Sequence, residues 1–402
     1  VSIELTPIGK ACNIACTYCY QQEERAVTQN TAEPYDLKAM KAALLAEGVG
    51  KGVGWTLFGG ESLLFPINDL AHLLDWSASI GAPVGVQTNG SLITDRHVDL
   101  FRRYRVHVGF SIDGPGALND ARQAKDPTAT RATTSLSLRN LDRLLAEGVS
   151  VSLIVTLHAL NARLTSLQTL VDWLLALRDK GLKYVNLHTL EPHGDSALAL
   201  SPASQTFALR TLRQKLVGFA SVSPFDDMRK SLLQESGANC IWNFCDPYTT
   251  AAVHGVDGQG QRSNCGRTNV DGVAYQKGDV AGKERYLALY LTPQEHGGCA
   301  ECRFFVPCGG GNCPGEAIDG DWRNRTVHCA TLKALFIDIE QELRAEGREP
   351  ISCSLRRPAL EAQLLGQWSG VRATGNVAHG DSPHGDAPHG DSHGDHTDAP
   401  AV

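Results

Sequence analysis

The sequence predicts an α/β protein: a partial (β/α)6 barrel of the TIM type, followed by a small cysteine-rich domain organised by metal. Three observations predict it. Short runs rich in Val, Ile and Thr alternate with amphipathic runs as far as about residue 190. That alternation stops near residue 240, where glycine and cysteine rise together. Polar residues stand at the ends of the strand-like runs, where α/β folds gather their chemistry.

Strands are expected at 2–6, 54–58, 84–88, 107–112, 149–156 and 184–188, short β-branched runs often closed by Gly or Pro. Between them, apolar residues recur at helical spacing: Leu37, Met40, Leu44 and Leu45; Leu70, Leu73 and Leu74; Leu141, Leu144 and Leu145; Leu167, Leu170, Val171 and Leu174. Repeated strand–helix units imply a parallel sheet with outer helices, and crossover handedness favours an open sheet or barrel. Six units are too few for a full eight-fold barrel, so residues 1–200 are read as a partial one. Residues 201–239 read as bridging helices, with Leu209, Leu212, Leu216 and Phe219 as an apolar stripe. Residues 240–346 lack the apolar content for a core of their own, so metal must organise them. Leu332, Leu335, Phe336, Ile339 and Leu343 mark a helix at 331–346. A C-terminal extension fills 347–371. Residues 372–402 form a low-complexity tail in which HGD begins at His379, His384, His389 and His393. Such polar sequence cannot offset its ordering entropy and is expected to be disordered. His-rich tracts can bind divalent metals, but a solvated tail with no catalytic role is the favoured reading.

Composition narrows the function. At 402 residues the chain is long enough for two or three domains. A net charge of −7 argues against nucleic-acid binding, which needs a basic surplus. No apolar run approaches the roughly 18 to 20 residues of a membrane helix, and no secretion signal is visible. Twelve cysteines would otherwise read as disulfides. Without a secretion signal, and at ligand-like spacing, they read as metal ligands in a reducing cytoplasm.

Cys12, Cys16 and Cys19 lie in CNIACTYCY. This Cys-x3-Cys-x2-Cys run supplies three thiolates, one short of the four that hold an electron-carrying iron–sulfur cube. The fourth iron is then open to a small molecule. Zinc, or three unrelated buried thiols, is the plain alternative. The spacing, with Tyr18 before the last cysteine, resembles the radical S-adenosylmethionine (SAM) superfamily. The resemblance implies that Cys12, Cys16 and Cys19 bind a [4Fe–4S] cluster whose open iron holds SAM, and that reductive cleavage yields a 5′-deoxyadenosyl radical.

Further motifs fall at strand ends. Gly59, Gly60 and Glu61 follow the second strand; glycines there permit close backbone approach, and a carboxylate can accept from an ammonium. Gln87-Thr88-Asn89-Gly90 closes the third strand and Ser111-Ile112-Asp113-Gly114 the fourth. Asn-Gly and Asp-Gly pairs alone mark turns, but a plain turn does not account for the polar residue before each pair. By resemblance, Glu61 contacts the methionine amino group, while Gln87, Asn89, Ser111 and Asp113 contact ribose or carboxylate. Tyr18 lies near adenine, and Thr156 fits the family's threonine. The family's His-Asp and nearby Arg correspond to Asn119-Asp120-Ala121-Arg122, with Arg131 further on; either arginine is a candidate for the SAM carboxylate. His188 and His193 line the pocket floor, more as structural or substrate-facing residues than as ligands.

The remaining cysteines run Cys240, Cys245, Cys265, then Cys299-x2-Cys302-x5-Cys308-x4-Cys313, then Cys329 and Cys353. With Gly260 before Cys265, this resembles the SPASM extension of peptide- and sulfatase-modifying radical SAM enzymes. The resemblance implies two auxiliary [4Fe–4S] clusters, three clusters in all. Cys240, Cys245, Cys265 and Cys313 hold one; Cys299, Cys302, Cys308 and Cys329 hold the other. Zinc suits four thiolates too. Cys353 is left as an inert thiol.

The family implies a peptide or protein substrate and an external electron donor such as flavodoxin or ferredoxin. The favoured function is maturation of a ribosomally made peptide by cross-linking or oxidation. Sulfatase maturation is the alternative; those enzymes carry an aspartate base where this chain has Gly266, although Asp246 or Asp271 stands nearby. A non-catalytic electron carrier or zinc-stabilised protein is the third reading, against which GGE, QTNG and SIDG speak. No leader-binding domain precedes the first strand, so leader recognition is expected from a separate protein or from the bridge and SPASM surfaces.

Overall fold

The computed structural model describes residues 2–190, 196–237, 242, 254–264, 283–311 and 316–369. Nine strands form one sheet: β1 (Ser2–Thr6), β2 (Gly54–Leu57), β3 (Val84–Thr88), β4 (His107–Ser111), β5 (Val151–Leu157), β6 (Tyr184–Thr189), β7 (Ser221–Ser223), β8 (His254–Asp257) and β9 (Arg262–Asn264). Their order is β7-β6-β5-β4-β3-β2-β1-β8-β9. Every neighbouring pair is parallel except β8 with β9. Consecutive parallel strands that sit side by side, with crossovers of one hand, place their helices on one face. This is the α/β partial barrel expected from the alternation.

Two-residue periodicity sorts the strand residues. Ile3, Leu5, Trp55, Leu57, Val86, Val108, Phe110, Leu153, Val155 and Val185 are all at most 1% exposed and belong to one core with the helices. The Trp55 indole donates to Ser77 Oγ at 2.8 Å, which satisfies its buried N–H. The alternate residues are mostly polar or small. Glu4, Thr56, Gly85, Gln87, Gly109, Ser111, Thr156 and His188 share the opposite face, and the register sets Gln87 beside Gly109 and Thr156 beside His188. That face is the inside of the barrel.

The bridging segment departs from expectation. A helix spans Pro202–Lys215, then β7 adds a short strand to the sheet, then a second helix spans Phe225–Leu232. Leu209, Leu212 and Leu216 are buried as a stripe, but the helix ends at Lys215 and Gly218, at φ +90°, turns the chain beyond it. Phe219 lies beyond this turn. The helix expected at 331–346 spans Cys329–Ala345. It packs on both bridging helices through Leu335, Phe336, Ile339 and Leu343. Ion pairs flank that seam: Arg210 to Asp338 at 2.7 Å, Arg213 to Glu342, Arg229 to Glu346, and Arg348 to Glu235 at 2.6 Å.

Among the described residues, no helix is long and apolar enough to cross a membrane. Cys12, Cys16, Cys19, Cys299, Cys302, Cys308, Cys329 and Cys353 are all free thiols. Cys353 is exposed and ends a short 3-10 turn. The tail beyond residue 369 lies outside the described residues.

Candidate active site

The cysteine loop leaves β1 and crosses the carboxyl end of the sheet. Its path is held by the rest of the chain rather than by its own regular structure. Asn30 clamps Cys12 at both backbone groups: its Oδ1 accepts from the Cys12 N–H at 2.9 Å, and its Nδ2 donates to the Cys12 carbonyl at 2.8 Å. Arg25, buried, donates to the Ile14 carbonyl at 2.8 Å. The Ala15 and Thr17 N–H groups donate to the carbonyls of Gln123 and Ala121 at 2.6 and 2.9 Å. Asn13 joins the end of β3, donating to Ser91 Oγ and accepting from Asn89 Nδ2, each at 2.9 Å.

Cys12, Ile14 and Cys16 pack as a small buried cluster with Tyr18 and Cys19 alongside. Burial, opposed by the Arg122 charge and seconded by the neighbouring Cys19 and Cys12, pushes the Cys16 thiol up to about 12. Burial likewise raises Cys12. Left alone, Cys12 and Cys16 are buried thiols held toward the protonated form. A coordinated metal deprotonates a thiol outright, and thiolates suit iron–sulfur chemistry. The donor set therefore fits a cluster held by Cys12, Cys16 and Cys19.

Gly59 and Gly60 make room for this loop. A Cβ on Gly59 would lie 2.7 Å from the Gly9 carbonyl oxygen, and one on Gly60 would lie 2.1 and 2.3 Å from the carbonyls of Lys10 and Ala11. Glu61 is 1% exposed. Its backbone N–H donates to Ala11 at 2.8 Å. Its carboxylate accepts from Leu63 N, Thr88 Oγ1 and Asn89 N at 3.0, 2.6 and 2.8 Å. Burial raises the Glu61 carboxyl while those three hydrogen bonds oppose it. The motif expected to meet an amino group thus turns its carboxylate inward, and its backbone lies under the cysteine loop.

Asn89 is buried and used twice over, with Asn13 as above and with Ser91, whose N–H and hydroxyl both donate to Asn89 Oδ1. Gln87 and Ser111 are half-buried on the inner face of the barrel, where Gln87 Nε2 donates to Ser111 Oγ at 2.6 Å. The Ser111 hydroxyl keeps its own proton to donate. Thr156 is half-buried on the same face.

Asp113 is 0% exposed and sits at the centre of a polar cluster. Oδ2 accepts from the Tyr18 hydroxyl and from His158 Nε2 at 3.3 Å. Oδ1 accepts from Arg122 Nη2 at 3.0 Å and from the Thr156 N–H at 2.9 Å. Its N–H donates to Asn119 Oδ1, and its carbonyl accepts from Asn161. Burial alone favours the neutral acid, but the Arg122 charge and the His158 ring outweigh it and hold the carboxyl well below the usual carboxylate range. The Leu160 N–H donates to His158 Nδ1 at 3.2 Å, which assigns the ring proton to Nε2, facing Asp113. Arg122 lies over the Tyr18 ring, 5.7 Å from its centroid.

The two candidate arginines separate. Arg122 is inside, 9% exposed. Arg131 is not brought into the site: it is exposed and grips Asp120, with Nη2 2.6 Å from Oδ2. The physical reason is local. Arg131 is in the helix Pro127–Ala146, on its exposed side. His188 stands exposed on the inner face of β6, and His193 lies outside the described residues. His158, Asn161 and Asn30 carry no sequence motif. A polar residue two positions after a strand-end threonine is the one signal that marks His158.

In the cysteine-rich region, Cys299, Cys302, Cys308 and Cys329 line one small cavity of about 20 Å³ with Phe304, Phe305, Phe336, Arg325 and Lys333. Tight turns set them: the Cys302 N–H donates to Cys299, Cys308 to Phe304, and Cys329 to Thr326. Burial pushes Cys299 up to about 12, raises Cys308 well above the ordinary thiol value, and raises Cys329. Among the described residues no three His, Cys, Asp or Glu side chains converge as a single-ion site does. Cys240, Cys245, Cys265 and Cys313, with Gly266, Asp246 and Asp271, lie outside the described residues.

Residues 6–163 match the model of the radical SAM superfamily, so this part of the chain carries a radical SAM domain. Domains of this class bind SAM and a [4Fe–4S] cluster. The chain is homologous to the serine-type anaerobic sulfatase-maturating enzymes of Klebsiella aerogenes (30% identical over 199 residues, 48% of this chain and 47% of that protein) and of Klebsiella pneumoniae (31% over 163 residues, 39% and 40%). The alignments span less than half the length of either relative. The fold matches the solved structure of native anSMEcpe with bound AdoMet and Cp18Cys peptide at a TM-score of 0.68, with 20% identity over 86% of this chain and 98% of that one.

Proposed function

We propose that this chain is a radical SAM/SPASM maturase that modifies a peptide or protein side chain by hydrogen abstraction. The observation that carries the reading is the convergence of the Cys12–Cys19 loop and the ends of β2 to β5 on one mouth. Cys12, Cys16 and Cys19 would hold the SAM-binding cluster, and SAM reductively cleaved there supplies a 5′-deoxyadenosyl radical. Ser111 and Gln87 present hydrogen-bonding groups at the barrel mouth. Of the two candidate arginines, Arg122 is the one buried beside the cysteine loop. The barrel wall and the packed loop keep bulk water from the reacting atoms, which is the protein's share of cofactor chemistry.

Two auxiliary clusters complete the proposal. Cys299, Cys302, Cys308 and Cys329, which line one cavity, are assigned to one of them, where four thiolates would suit zinc as well. Cys240, Cys245, Cys265 and Cys313 are assigned to the other by spacing alone. The free thiols support a reducing, cytoplasmic setting, with an external donor such as flavodoxin or ferredoxin and, for leader recognition, a separate protein.

Two substrates compete. The homology favours a sulfatase, but it lies in less than half the chain and speaks to the radical core. Gly266, in the place of the sulfatase maturases' aspartate base, favours a ribosomally made peptide and its cross-linking. Anaerobic reconstitution tests the common part: about twelve irons per chain, as three four-iron clusters, and 5′-deoxyadenosine formed from SAM and dithionite are expected. Iron near zero, or no 5′-deoxyadenosine, refutes the reading. Formylglycine in a sulfatase-derived peptide would decide for the second substrate.

A further inference from the structure

The Asp113 carboxylate receives four donors from the protein itself: the Tyr18 hydroxyl, His158 Nε2, Arg122 Nη2 and the Thr156 N–H. A carboxylate offers about four lone-pair sites, so none is left for a ligand. It is also wholly buried. These donors come from four separate places: the cysteine loop, the segment after β4, the end of β5, and the turn that follows it. Ser111, two residues earlier and the last residue of β4, is the half-exposed member of the motif and has its hydroxyl proton to offer.

We propose that Asp113 is a positioning residue that sets the cysteine loop through Tyr18 and Arg122, and that it makes no contact with the ribose of the cofactor. Tyr18 lies between Cys16 and Cys19, so its hydroxyl anchors the loop midway between two thiols. His158 and Asn161 hold the other side. The His158 proton points at Asp113 because Leu160 occupies Nδ1, and Asn161 binds both the Asp113 and Thr156 carbonyls at 3.0 and 2.8 Å. The strand ends thus form a fixed seat, and the loop rests on it by the Tyr18 phenol, whose ring lies against the Arg122 guanidinium. Ser111, with Gln87, is left as the ribose-facing pair. This inference rests on the proposed SAM site.

The test has two arms on the full chain. In metal-free protein, alkylation of Cys12, Cys16 and Cys19 by iodoacetamide is followed by mass spectrometry in wild type, Asp113→Asn and Tyr18→Phe. Tyr18→Phe keeps the ring and leaves Arg122 paired, so it reports on the anchor if Asp113→Asn fails to fold. Faster alkylation in Tyr18→Phe, by about fivefold or more as expected for a lost charge-assisted hydrogen bond, is the expected result; an unchanged rate overturns the anchor. In reconstituted protein, the affinity for SAM is compared with that for its analogue lacking the ribose hydroxyls. Asp113→Asn is expected to weaken both equally and to shift the electron paramagnetic resonance g-values of the reduced cluster before SAM is added. A loss confined to SAM, as expected for Ser111→Ala, overturns the proposal for Asp113. If wild type binds no SAM, the maturase reading falls while the alkylation arm still decides the anchor.

Discussion

Arg122 is only 9% exposed, and its charge is tolerated there because Asp113 lies 3.0 Å away. Removing one partner of such a pair strands the other. Arg122→Met is therefore expected to cost about 3–5 kcal/mol of stability, read by anaerobic chemical denaturation, and to reduce SAM binding. Arg131→Ala should leave both the denaturation midpoint and SAM affinity at wild-type values, since its guanidinium is exposed on Asp120. Equal losses in the two variants would contradict this assignment. In the sequence the two arginines are equivalent candidates: what separates them is which face of a turn or helix each occupies, and that is set by packing. The same holds for His158, Asn30 and Asn161. Each is a single polar residue whose role comes from partners brought in by the fold, and single residues leave no periodic trace.

At the scale of elements, β1 and β3 occupy the expected residues, and the other strands of the barrel shift by a residue or two at their ends. Alternation of Leu, Val and Phe with Gln, Ser and Thr is strong enough to read directly, and it also places Gln87, Ser111 and Thr156 on the inner face. By contrast, β7 has three residues, too few for a period, and lies in a stretch whose leucines read as helix. The Gly59-Gly60 turn is legible as a close-approach site, but its partner is the cysteine loop. Gly60→Ala puts a Cβ 2.1 Å from a backbone oxygen that cannot swing away. Loss of most iron from Cys12–Cys19 after reconstitution is expected, with the far-ultraviolet circular dichroism unchanged. Full iron loading in that variant would mean the loop has more slack than its contacts indicate.

For the whole molecule, the seam between the bridging helices and the Cys329–Ala345 helix joins the barrel to the cysteine-rich region. Its ion pairs are conspicuous, but pairs between exposed side chains contribute little. The buried residues Leu335, Phe336, Ile339 and Leu343 contribute more. Leu335→Ala is expected to cost about 2–5 kcal/mol, whereas Arg210→Ala or a high-salt buffer should move the Tm only slightly. A large salt-induced drop in Tm would assign the seam to charge instead.

The hydrogen bonds from Ala15 and Thr17 to Gln123 and Ala121 also bear on biosynthesis. The thiols of Cys12, Cys16 and Cys19 leave the ribosome before the segment that houses them has been made. At about 5–20 residues per second, roughly a hundred intervening residues keep them waiting on the order of ten seconds. Iron insertion therefore belongs to a late stage of translation or after it, and the nascent chain is most exposed to oxidants before that point.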